Sequence, residues 1–275
     1  MLVLSCEQFT YVFNKLTGLF DKMTFANEPL LDQPMGFNVW RAPTDNDRKL
    51  KADWYAAHYD HAATNAYHTE YTVTASGVTL HTHVGIAAIC VQKFLDLDVT
   101  WTVANNGSVG LALHAKRNTV FPELPRFGLR LFLPQEMSQV NYYGMGPMEC
   151  YRDKHHAASH SSYTATVWQL HEDYIRPQEN GSHFDCDYVM LAGDAVRLTA
   201  VGTQPFSFNA SHYTQEELTR KAHNYELEPC GSTVLCLDYA QNGIGSESCG
   251  PRLLEQYRLD DATFNFGLRL FPEKK

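Results

Sequence analysis

The run Trp40–Asp47, WRAPTDND, concentrates more chemistry than any other short stretch of the chain. Asp45, Asn46 and Asp47 favour a turn, because their short side chains hydrogen-bond nearby backbone. Arg41 supplies a cation whose several N–H groups can hold carbonyl or carboxylate oxygens. The run therefore predicts a structured loop with a cationic anchor.

Four further segments share this mixture of turn residues, aromatic rings and polar side chains. In chain order they are YYGMGPMECYRD at Tyr142–Asp153, YIRPQENG at Tyr174–Gly181, FSFN at Phe206–Asn209 followed by HYT from His212, and GIGSESCGP at Gly243–Pro251. Glycine lets the backbone approach a ligand closely or adopt positive φ. The last segment is therefore a second candidate for a binding loop, beside the Trp40–Asp47 run.

In this order, the five segments resemble the C-terminal, small-chain-like domain of the large multidomain β-galactosidases, in glycoside hydrolase family 2. The resemblance extends from about Asn14 to the end of the chain. It implies an all-β fold, a large antiparallel supersandwich of the galactose mutarotase type with one or two short helices. It also implies a part in the hydrolysis of terminal β-D-galactosides such as lactose, with retention through a galactosyl–enzyme intermediate.

The catalytic residues are expected outside this chain. A retaining glycosidase needs two carboxylates about 5 Å apart, and in the family these glutamates lie in an upstream TIM-barrel domain. A chain of 275 residues without alternating strand and helix patterns is too short for a barrel beside the sandwich. We therefore predict no catalytic residue and no cofactor here, and expect magnesium in the catalytic domain.

The resemblance implies that the domain packs on the catalytic TIM-barrel portion of the same enzyme and closes part of the active-site rim. The galactoside is then the second partner, and the full enzyme is expected to be an oligomer. Two origins of the chain stay open, a natural small subunit and a piece of a longer protein. A start directly at the sandwich favours the piece.

Six residues are candidates for the rim: Arg41, Asp45, Asn46, Ser246, Glu247 and Cys249. Arg41, Asp45 and Asn46 could hydrogen-bond a sugar or fix their loop, and for Arg41 we favour a clamp on backbone carbonyls. In the family, the stretch corresponding to 48–53 borders the site. Cys249 stands near a position where one branch of the family carries a sugar-stacking aromatic residue. As a cysteine, it is expected to be a small apolar filler.

The other motif residues are predicted to build loops. Glu149 and Tyr151 are expected to form a buried polar network, and Arg176 with Glu179 an Arg-Pro turn whose carboxylate anchors neighbouring backbone. The predicted structural positions are Trp40, Pro43, Asp47, Gly144, Gly146, Pro147, Glu149, Tyr151, Asp153, Arg176, Pro177, Glu179, Asn180, Gly181, Gly243, Gly245, Gly250 and Pro251. No metal site is predicted, because Asp45 with Asp47, and His81 with His83, lack the further ligands that calcium or zinc requires.

Bulk composition excludes several classes of function. A net charge of −9 argues against nucleic acid, which needs a basic patch for its phosphates. No stretch reaches the roughly 18 apolar residues of a membrane span, and Met1–Cys6 lacks the basic flank of a signal peptide. The 7 cysteines are odd in number and form no CxxC pair, which is typical of free thiols in a reducing compartment. We expect a cytoplasmic bacterial protein, with secretion or a periplasmic location left open.

Strands must position these motifs, because strand patterns dominate the chain. The stretch 94–101 alternates apolar and polar residues, as a half-buried strand does, and Asn105–Gly107 follows as a hairpin turn. Similar patterns occur at 9–13, 20–25, 78–103, 111–114, 127–133, 184–191, 196–201, 234–239 and 263–270. Helices are predicted at Thr214–His223, with Thr214 and Glu217 as a capping box, and at Asp53–His58. We predict a single all-β domain over residues 1–275.

Two alternative functions remain at this stage. A stand-alone aldose epimerase of the mutarotase type would use a histidine acid and a glutamate base, and a non-catalytic carbohydrate-binding module would present aromatic residues on one sheet face. A β-galactosidase C-terminal domain that is separated from its catalytic barrel should expose an apolar interface. We therefore expect the isolated chain to self-associate or to be marginally soluble.

Overall fold

Sixteen β-strands dominate the computed structural model, which describes residues 1–275. All of their pairings are antiparallel. The strands are β1 (Leu2–Ser5), β2 (Phe9–Asn14), β3 (Leu19–Phe25), β4 (Glu28–Pro29), β5 (Gln33–Asn38), β6 (Ala63–Thr74), β7 (Gly77–Ala87), β8 (Leu95–Ala104), β9 (Val109–Arg117), β10 (Arg126–Pro134), β11 (Gln139–Gly146), β12 (Ser159–Thr166), β13 (Ser182–Ala192), β14 (Val196–Ser211), β15 (Ser232–Gln241) and β16 (Thr263–Lys274).

Helical structure is confined to short connecting segments. The two α-helices are α1 (Leu50–Ala56) and α2 (Gln215–Arg220), and five 3-10 turns cover Asp45–Arg48, Tyr59–His61, Val167–Leu170, Asn224–Glu226 and Glu255–Tyr257. None of these helices has the length and apolar character needed to cross a membrane. The helices therefore serve as connections on a scaffold made of sheets.

The larger of the two sheets forks. Strands β1 to β4 form a small sheet in sequence order, and the other twelve strands form one large sheet whose main path is β12-β11-β13-β14-β16-β9-β8-β7-β6. Within β14, Val196–Gly202 pairs with β16, whereas Ser207–Ser211 pairs with β15. Strand β15 leads on to β10 and then to β5. The sheet thus divides into two branches at the middle of β14.

The core follows from the alternation seen in the sequence. On β8 the apolar residues of one face are buried and the polar residues of the other are accessible, as the period of two requires. Trp101 on this face is fully buried, and its indole N–H donates to the Gly18 carbonyl at 2.9 Å. Its ring meets Phe20 edge-on at 5.3 Å between centroids. Trp101 therefore fixes the small sheet onto the large one.

The predicted strands are confirmed, with modest shifts at their ends, and Asn105–Gly107 does turn between β8 and β9. Six strands were missed: β1, β4, β5, β6, β11 and β12. Strand β6 shows no clean alternation, because most of its residues are accessible on both faces. The helix predicted from Asp53 begins earlier, since α1 covers Leu50–Ala56.

The capping box predicted for the other helix is half formed. The Thr214 hydroxyl accepts from the Glu217 N–H at 3.1 Å, as expected of an N-cap. The Glu217 carboxylate does not return to Thr214. It accepts from the Glu228 N–H at 3.0 Å and pairs with Arg220, because the segment following α2 folds back toward it.

Candidate functional site

A polar cleft lies where the ends of several strands meet. Strand β5 ends at Asn38, opposite Gly128, and β15 ends at Gln241, opposite Arg126. The segments that follow these strands therefore leave the sheet side by side. The cleft is lined by residues in or next to four of the sequence motifs: Thr44, Asp45, Asn46, Lys154, Tyr174, Gln178, Glu179, Ile244 and Gly245.

Arg41 anchors the first of these segments from behind. It is fully buried, and its Nη2 donates to Asp47 Oδ1 at 2.8 Å and to the Gly243 carbonyl at 3.2 Å. Its Nη1 donates to the Asn242 carbonyl, and its guanidinium lies 5.2 Å from the Trp54 ring centroid. A buried charge requires such partners. Arg41 thus clamps two backbone carbonyls behind the cleft and does not line it.

Asp47 holds the turn itself. Its Oδ2 accepts from the Thr44 N–H at 2.8 Å and from the Thr44 hydroxyl at 3.1 Å, while its Oδ1 faces Arg41. The turn then presents Asn46, whose Nδ2 donates to the Ile244 carbonyl at 2.6 Å, and Asp45, whose N–H donates to Gln178 Oε1 at 3.2 Å. Asp45 and Asn46 are therefore each tied to another wall of the cleft.

Asp153 holds the opposite wall. Its two carboxylate oxygens accept from the N–H of Ile244 at 3.0 Å and of Gly245 at 2.8 Å. A Cβ atom at Gly243 would lie 2.6 Å from Asp153 Oδ2, so this close approach requires glycine. The motifs at 142–153 and 243–251 are therefore linked by one carboxylate.

Glu149 holds two of the residues that line the cleft, Lys154 and Tyr174. Its carboxylate accepts from Lys154 Nζ at 2.6 Å, from the Gly181 N–H at 2.9 Å and from the Tyr174 hydroxyl. Gly181 has φ of +68°, in the left-handed region that glycine adopts without strain. Burial raises the pKa of the Tyr174 hydroxyl, and the Glu149 hydrogen bond acts in the same direction. Tyr174 therefore stays protonated and donates.

A fully buried ionic cluster lies behind the cleft. Arg126 donates to Asp238 through Nε at 3.2 Å and through Nη2, and to Glu179 Oε2 through Nη1 at 3.1 Å. Gln241 Nε2 donates to Glu179 Oε1 at 3.4 Å and to Ser182 Oγ at 3.2 Å. Burial raises the pKa of Glu179 and of Asp238, and the Arg126 charge opposes that rise. The cluster holds the Glu179 side chain inside the sandwich, behind the cleft that this residue lines.

Several sequence predictions need correction. The Glu179 carboxylate binds the side chains of Arg126 and Gln241 instead of neighbouring backbone, because it points into the sandwich. Asn180 is the residue that anchors backbone, accepting from the Glu172 N–H at 3.1 Å and donating to the Gln178 carbonyl at 2.9 Å. Cys249 is exposed and does not fill a core position.

Apart from Arg41, which lies behind the cleft, the rim candidates divide into two groups. Asp45 and Asn46 line the cleft, whereas Ser246, Glu247 and Cys249 lie beyond the wall formed by Ile244 and Gly245. Glu247 has φ of +78°, which is uncommon for a residue with a side chain. The first loop therefore contributes polar groups to the cleft, and the second continues away from it.

Sequence reasoning missed Lys154, Gln178 and the cluster around Arg126 and Asp238. Asp238 carried a usable signal, because a carboxylate inside the apolar strand sequence TVLCLDYA must be paired when buried. Its partner Arg126 carried none, since the two lie 112 residues apart. Lys154 follows one motif and Gln178 belongs to another, but both are residue types that are common on protein surfaces.

The chemistry available here is hydrogen bonding. The carboxylates of Glu149, Asp153 and Glu179 already accept from groups of the chain, so they act as scaffold. The cleft still presents amide, carboxylate, ammonium and phenol groups, which suit a ligand with several hydroxyls. His81 and His83 lie apart from it, paired with Thr100 and Asp98, and the structure contains no group of three side chains suited to a metal ion.

Comparisons with known proteins agree on one family. Residues 5–270 match the family described as "Beta galactosidase small chain". The chain is 43% identical over 267 residues to a protein named beta-galactosidase from Actinobacillus pleuropneumoniae, and 38% identical over 261 residues to one from Staphylococcus xylosus. These alignments cover 97% and 95% of this chain but 26% of each relative. The chain therefore spans about a quarter of the length of the curated relatives it matches.

Solved structures confirm the predicted fold class. A galactose mutarotase-like protein from Lactobacillus casei superposes with a TM-score of 0.53 at 11% identity, covering 100% of both chains. A galactose 1-epimerase from Lactobacillus acidophilus superposes with a TM-score of 0.50 at 8% identity, covering 99% of this chain and 93% of that one. At such identities the likeness is one of fold alone.

Proposed function

The chain belongs to the family of beta-galactosidase small chains, and from that premise we propose that it forms the non-catalytic wall of a β-galactosidase active site. In this proposal the whole protein hydrolyses terminal β-D-galactosides such as lactose with retention. The two carboxylates that retention needs, about 5 Å apart, belong to a catalytic TIM-barrel portion that this chain does not contain. The magnesium expected for the family belongs to that portion too.

The observation that carries the proposal is the convergence of four distant motifs on one polar cleft. Buried charges hold its walls, while Asp45, Asn46 and Gln178 remain at its surface. Preorganised polar groups of this kind orient a substrate without spending binding energy on their own ordering. We assign this cleft to the side of the galactoside that faces away from the catalytic carboxylates.

A patch of exposed apolar side chains beside the cleft supports a docking role. Tyr174 lines the cleft, Ile175 next to it is 78% exposed, and Tyr225 is 80% exposed. The Asn224 N–H donates to the Ile175 carbonyl at 3.0 Å, which places these side chains close together. Exposed apolar groups with a polar surround are typical of protein contacts. We assign Tyr174, Ile175 and Tyr225, the docking patch, to the interface with the catalytic portion.

Compartment and assembly follow as further parts of the proposal. All 7 cysteines are free thiols, which is typical of a reducing compartment, and we infer a cytoplasmic location. We expect the complete enzyme to be an oligomer, and the isolated chain to self-associate through the docking patch. Sedimentation of the isolated chain over a range of concentrations tests this, and a strictly monomeric chain at high concentration would contradict it.

A chimera tests the proposed function directly. The quarter of the Actinobacillus pleuropneumoniae protein that this chain matches is replaced by this chain, and hydrolysis of lactose is measured. We expect the chimera to be active and the same protein without that quarter to be inactive. Ile175→Asp should lower activity at least about tenfold, because a carboxylate would be buried at the interface.

Leu16→Asp is the matched control for that substitution. Leu16 is 74% exposed in the turn that joins β2 and β3 of the small sheet, and it does not line the cleft. The same chemical change there should leave the activity of the chimera unaltered. An inactive chimera whose two parts are both folded would contradict the proposed function.

A further inference from the structure

A long strand edge without a partner lies at one end of the large sheet. Strand β6 is the last strand of the main path, and its only ladder is with β7. On its outer edge, the Ala66 N–H donates to the Leu16 carbonyl at 2.8 Å. Outside the ladder with β7, residues 67–74 take part in no backbone hydrogen bond. This stretch therefore presents unpaired N–H and C=O groups along its outer edge.

The other edges of the two sheets are protected in ways that this one is not. In the small sheet, β1 has 4 residues and β4 has 2, and in the large sheet β5 contains Pro34. Strand β12, at the opposite end of the main path, exposes no large apolar side chain. Short strands, proline and polar side chains all hinder edge pairing. Strand β6 has 12 residues, no proline and no lysine or arginine, so it is the edge best suited to pairing.

The exposed part of β6 carries an apolar strip on one face. Tyr71 and Val73 are 54% and 68% exposed, and Tyr71 lies opposite the fully buried Leu80 of β7. Directly opposite residues share a face of the sheet, so this strip continues the core side past the end of the sandwich. His68 and Glu70 lie on the other face, because successive side chains alternate. A partner must therefore be an extended strand with an apolar face on the same side.

A second copy of β6 meets this requirement in one register. When a strand pairs with its own copy in antiparallel fashion, the two-fold axis passes through a residue, because outward-pointing groups must meet outward-pointing groups. The β6–β7 ladder is irregular between Ala66 and His68, and β6 ends at Thr74. The regular part of the outer edge, residues 68–74, is here called the free edge. Its middle residue is Tyr71, so an axis through Tyr71 pairs the whole free edge.

The apolar side chains match in this register. Tyr71 faces its own copy, and Thr69 faces Val73 of the second copy. Aromatic pairs and pairs of β-branched residues are favourable across strands. The strip that is exposed on one chain is thereby covered by the same strip of the other.

The ionisable side chains also match in this register. Each of them faces a threonine of the second copy, since Glu70 lies opposite Thr72 and His68 lies opposite Thr74. A register with its axis through Glu70 would set two carboxylates directly opposite each other, which is destabilising. Length and charge therefore select the same pairing.

We propose that the free edge of β6 pairs with the free edge of a second copy, which gives a two-fold dimer with one sheet continuous across both chains. Such an interface is isologous, so it closes at two copies. No residue of the free edge lines the cleft or belongs to the docking patch. The proposal therefore does not rest on the proposed function, and loss of activity in the chimera leaves it standing.

Disulfide cross-linking of the full chain tests the register. The exposed cysteines Cys6, Cys90 and Cys249 are first replaced by serine, and Ile175→Asp removes the self-association assigned to the docking patch. Directly opposite residues of an antiparallel pair have Cα atoms about 4.5–5.5 Å apart, within the range of a disulfide. Tyr71→Cys should therefore give a disulfide-linked dimer on mild oxidation.

Val73→Cys is the matched control, because it lies on the same strand and the same face and is also exposed. In the proposed register, the two copies of residue 73 are offset by about 13 Å along the strands, which is too far for a disulfide. Val73→Cys alone should not cross-link. An equal mixture of Val73→Cys and Thr69→Cys chains should cross-link, since these positions face each other.

Sedimentation of the Ile175→Asp chain measures the association itself. Each copy carries a net charge of −9, so the measurement is made at about 0.15 M salt, where repulsion is screened beyond about 8 Å. Tyr71→Lys should weaken dimerisation at least about tenfold, because lysine hinders edge pairing. Val120→Lys makes the same change of charge at a position that is 89% exposed and lies outside β6, and it should leave dimerisation unchanged. Circular dichroism checks that both variants are folded.

Three results would overturn the proposal. The first is a chain that stays monomeric and shows no Tyr71→Cys cross-link. The second is cross-linking of Val73→Cys alone as readily as of Tyr71→Cys. The third is a Tyr71→Cys cross-link in the chain that is absent from the folded chimera, which would assign the free edge to the catalytic portion.

Discussion

One segment lines the cleft and another continues from its wall, and the two are held in opposite ways. The anchored arm, residues 41–47, has a buried arginine and a buried aspartate behind it, and its exposed residues are tied to other walls. The exposed arm, residues 246–252, follows the wall at Gly245. Outside the sheets and helices, none of the backbone hydrogen bonds of the chain involves residues 246–251.

The exposed arm is fixed at its two ends. Asp153 holds the residues before it, and its last residue, Arg252, pairs with Glu123 at 2.7 Å. The difference between the arms indicates that they have different roles. The anchored arm is preorganised to present polar groups, and in our account the exposed arm acquires its contacts when the catalytic portion is present.

Removing the buried anchor should have the largest effect. Arg41→Met leaves the Asp47 carboxylate without its ion-pair partner and the Asn242 and Gly243 carbonyls without donors. Breaking a buried pair in this way costs about 3–5 kcal/mol. We expect a loss of that size in the free energy of unfolding, measured with urea. Arg48→Met, at an exposed position of the same segment, is the control and should change it by less than about 0.5 kcal/mol.

Acid pH should have the next largest effect on the free energy of unfolding. His183 packs between Tyr142 and Phe208, and burial lowers its pKa from 6.5 to about 4. Between these two values the unfolded chain binds a proton that the folded chain does not. The stability from neutral His183 is therefore complete above pH 6.5 and is lost as the pH falls toward 4, by about 1.4 kcal/mol per pH unit.

Comparison with His183→Gln isolates this effect. Between pH 6.5 and 4.5, the slope of unfolding free energy against pH should be shallower in the variant. The difference should be about 1.4 kcal/mol per pH unit, which corresponds to one proton. Contributions of other histidines cancel, since both proteins contain them. Equal slopes for the two proteins would show that His183 titrates normally.

Removing the carboxylate that holds the residues before the exposed arm should have an intermediate effect on the free energy of unfolding. Asp153→Ala leaves the Ile244 and Gly245 N–H groups without their acceptor. Hydrogen bonds to a charged group contribute about 1.5–3 kcal/mol each at most, and Gly245 is exposed to water, so we expect a loss of about 1–3 kcal/mol. Hydrogen exchange of these two amides should accelerate, while the amide of Thr44, in the anchored arm, should exchange as before.

Cys249→Ser should have the smallest effect. The thiol is exposed, so the substitution should change the unfolding free energy by less than about 0.5 kcal/mol. Cys249 should also react with a thiol reagent in the folded chain, whereas Cys186 and Cys236 should not. Burial raises the pKa of both of those thiols, that of Cys236 to about 11. Protection of Cys249 in the isolated chain would contradict an exposed arm.

Local sequence patterns were sufficient for much of the sandwich. Strand β8 could be predicted because its burial alternates with a period of two, and the Thr214 cap because its hydroxyl acts on the adjacent turn. Strand β6 could not, because an edge strand accessible on both faces leaves no alternation to read. Such patterns report the environment of a strand, so strands with unusual environments escape them.

The candidate site was predictable in its parts and not in its connections. The residue types of the 41–47 run indicated a turn with a cationic anchor, which is local information. The contact of Arg41 with Asn242 joins residues 201 apart, and that of Arg126 with Asp238 joins residues 112 apart. Sequence separation of this size carries no spacing signal.

Proton NMR of the isolated chain tests the central claim most directly, which is that the chain shapes a site it cannot complete. Lactose and freshly dissolved α-galactose are followed with and without the chain. The account predicts that lactose stays intact and that the anomers of galactose exchange at their uncatalysed rate. Cleavage of lactose, or accelerated anomer exchange, would show an active site on this chain alone and would contradict the account.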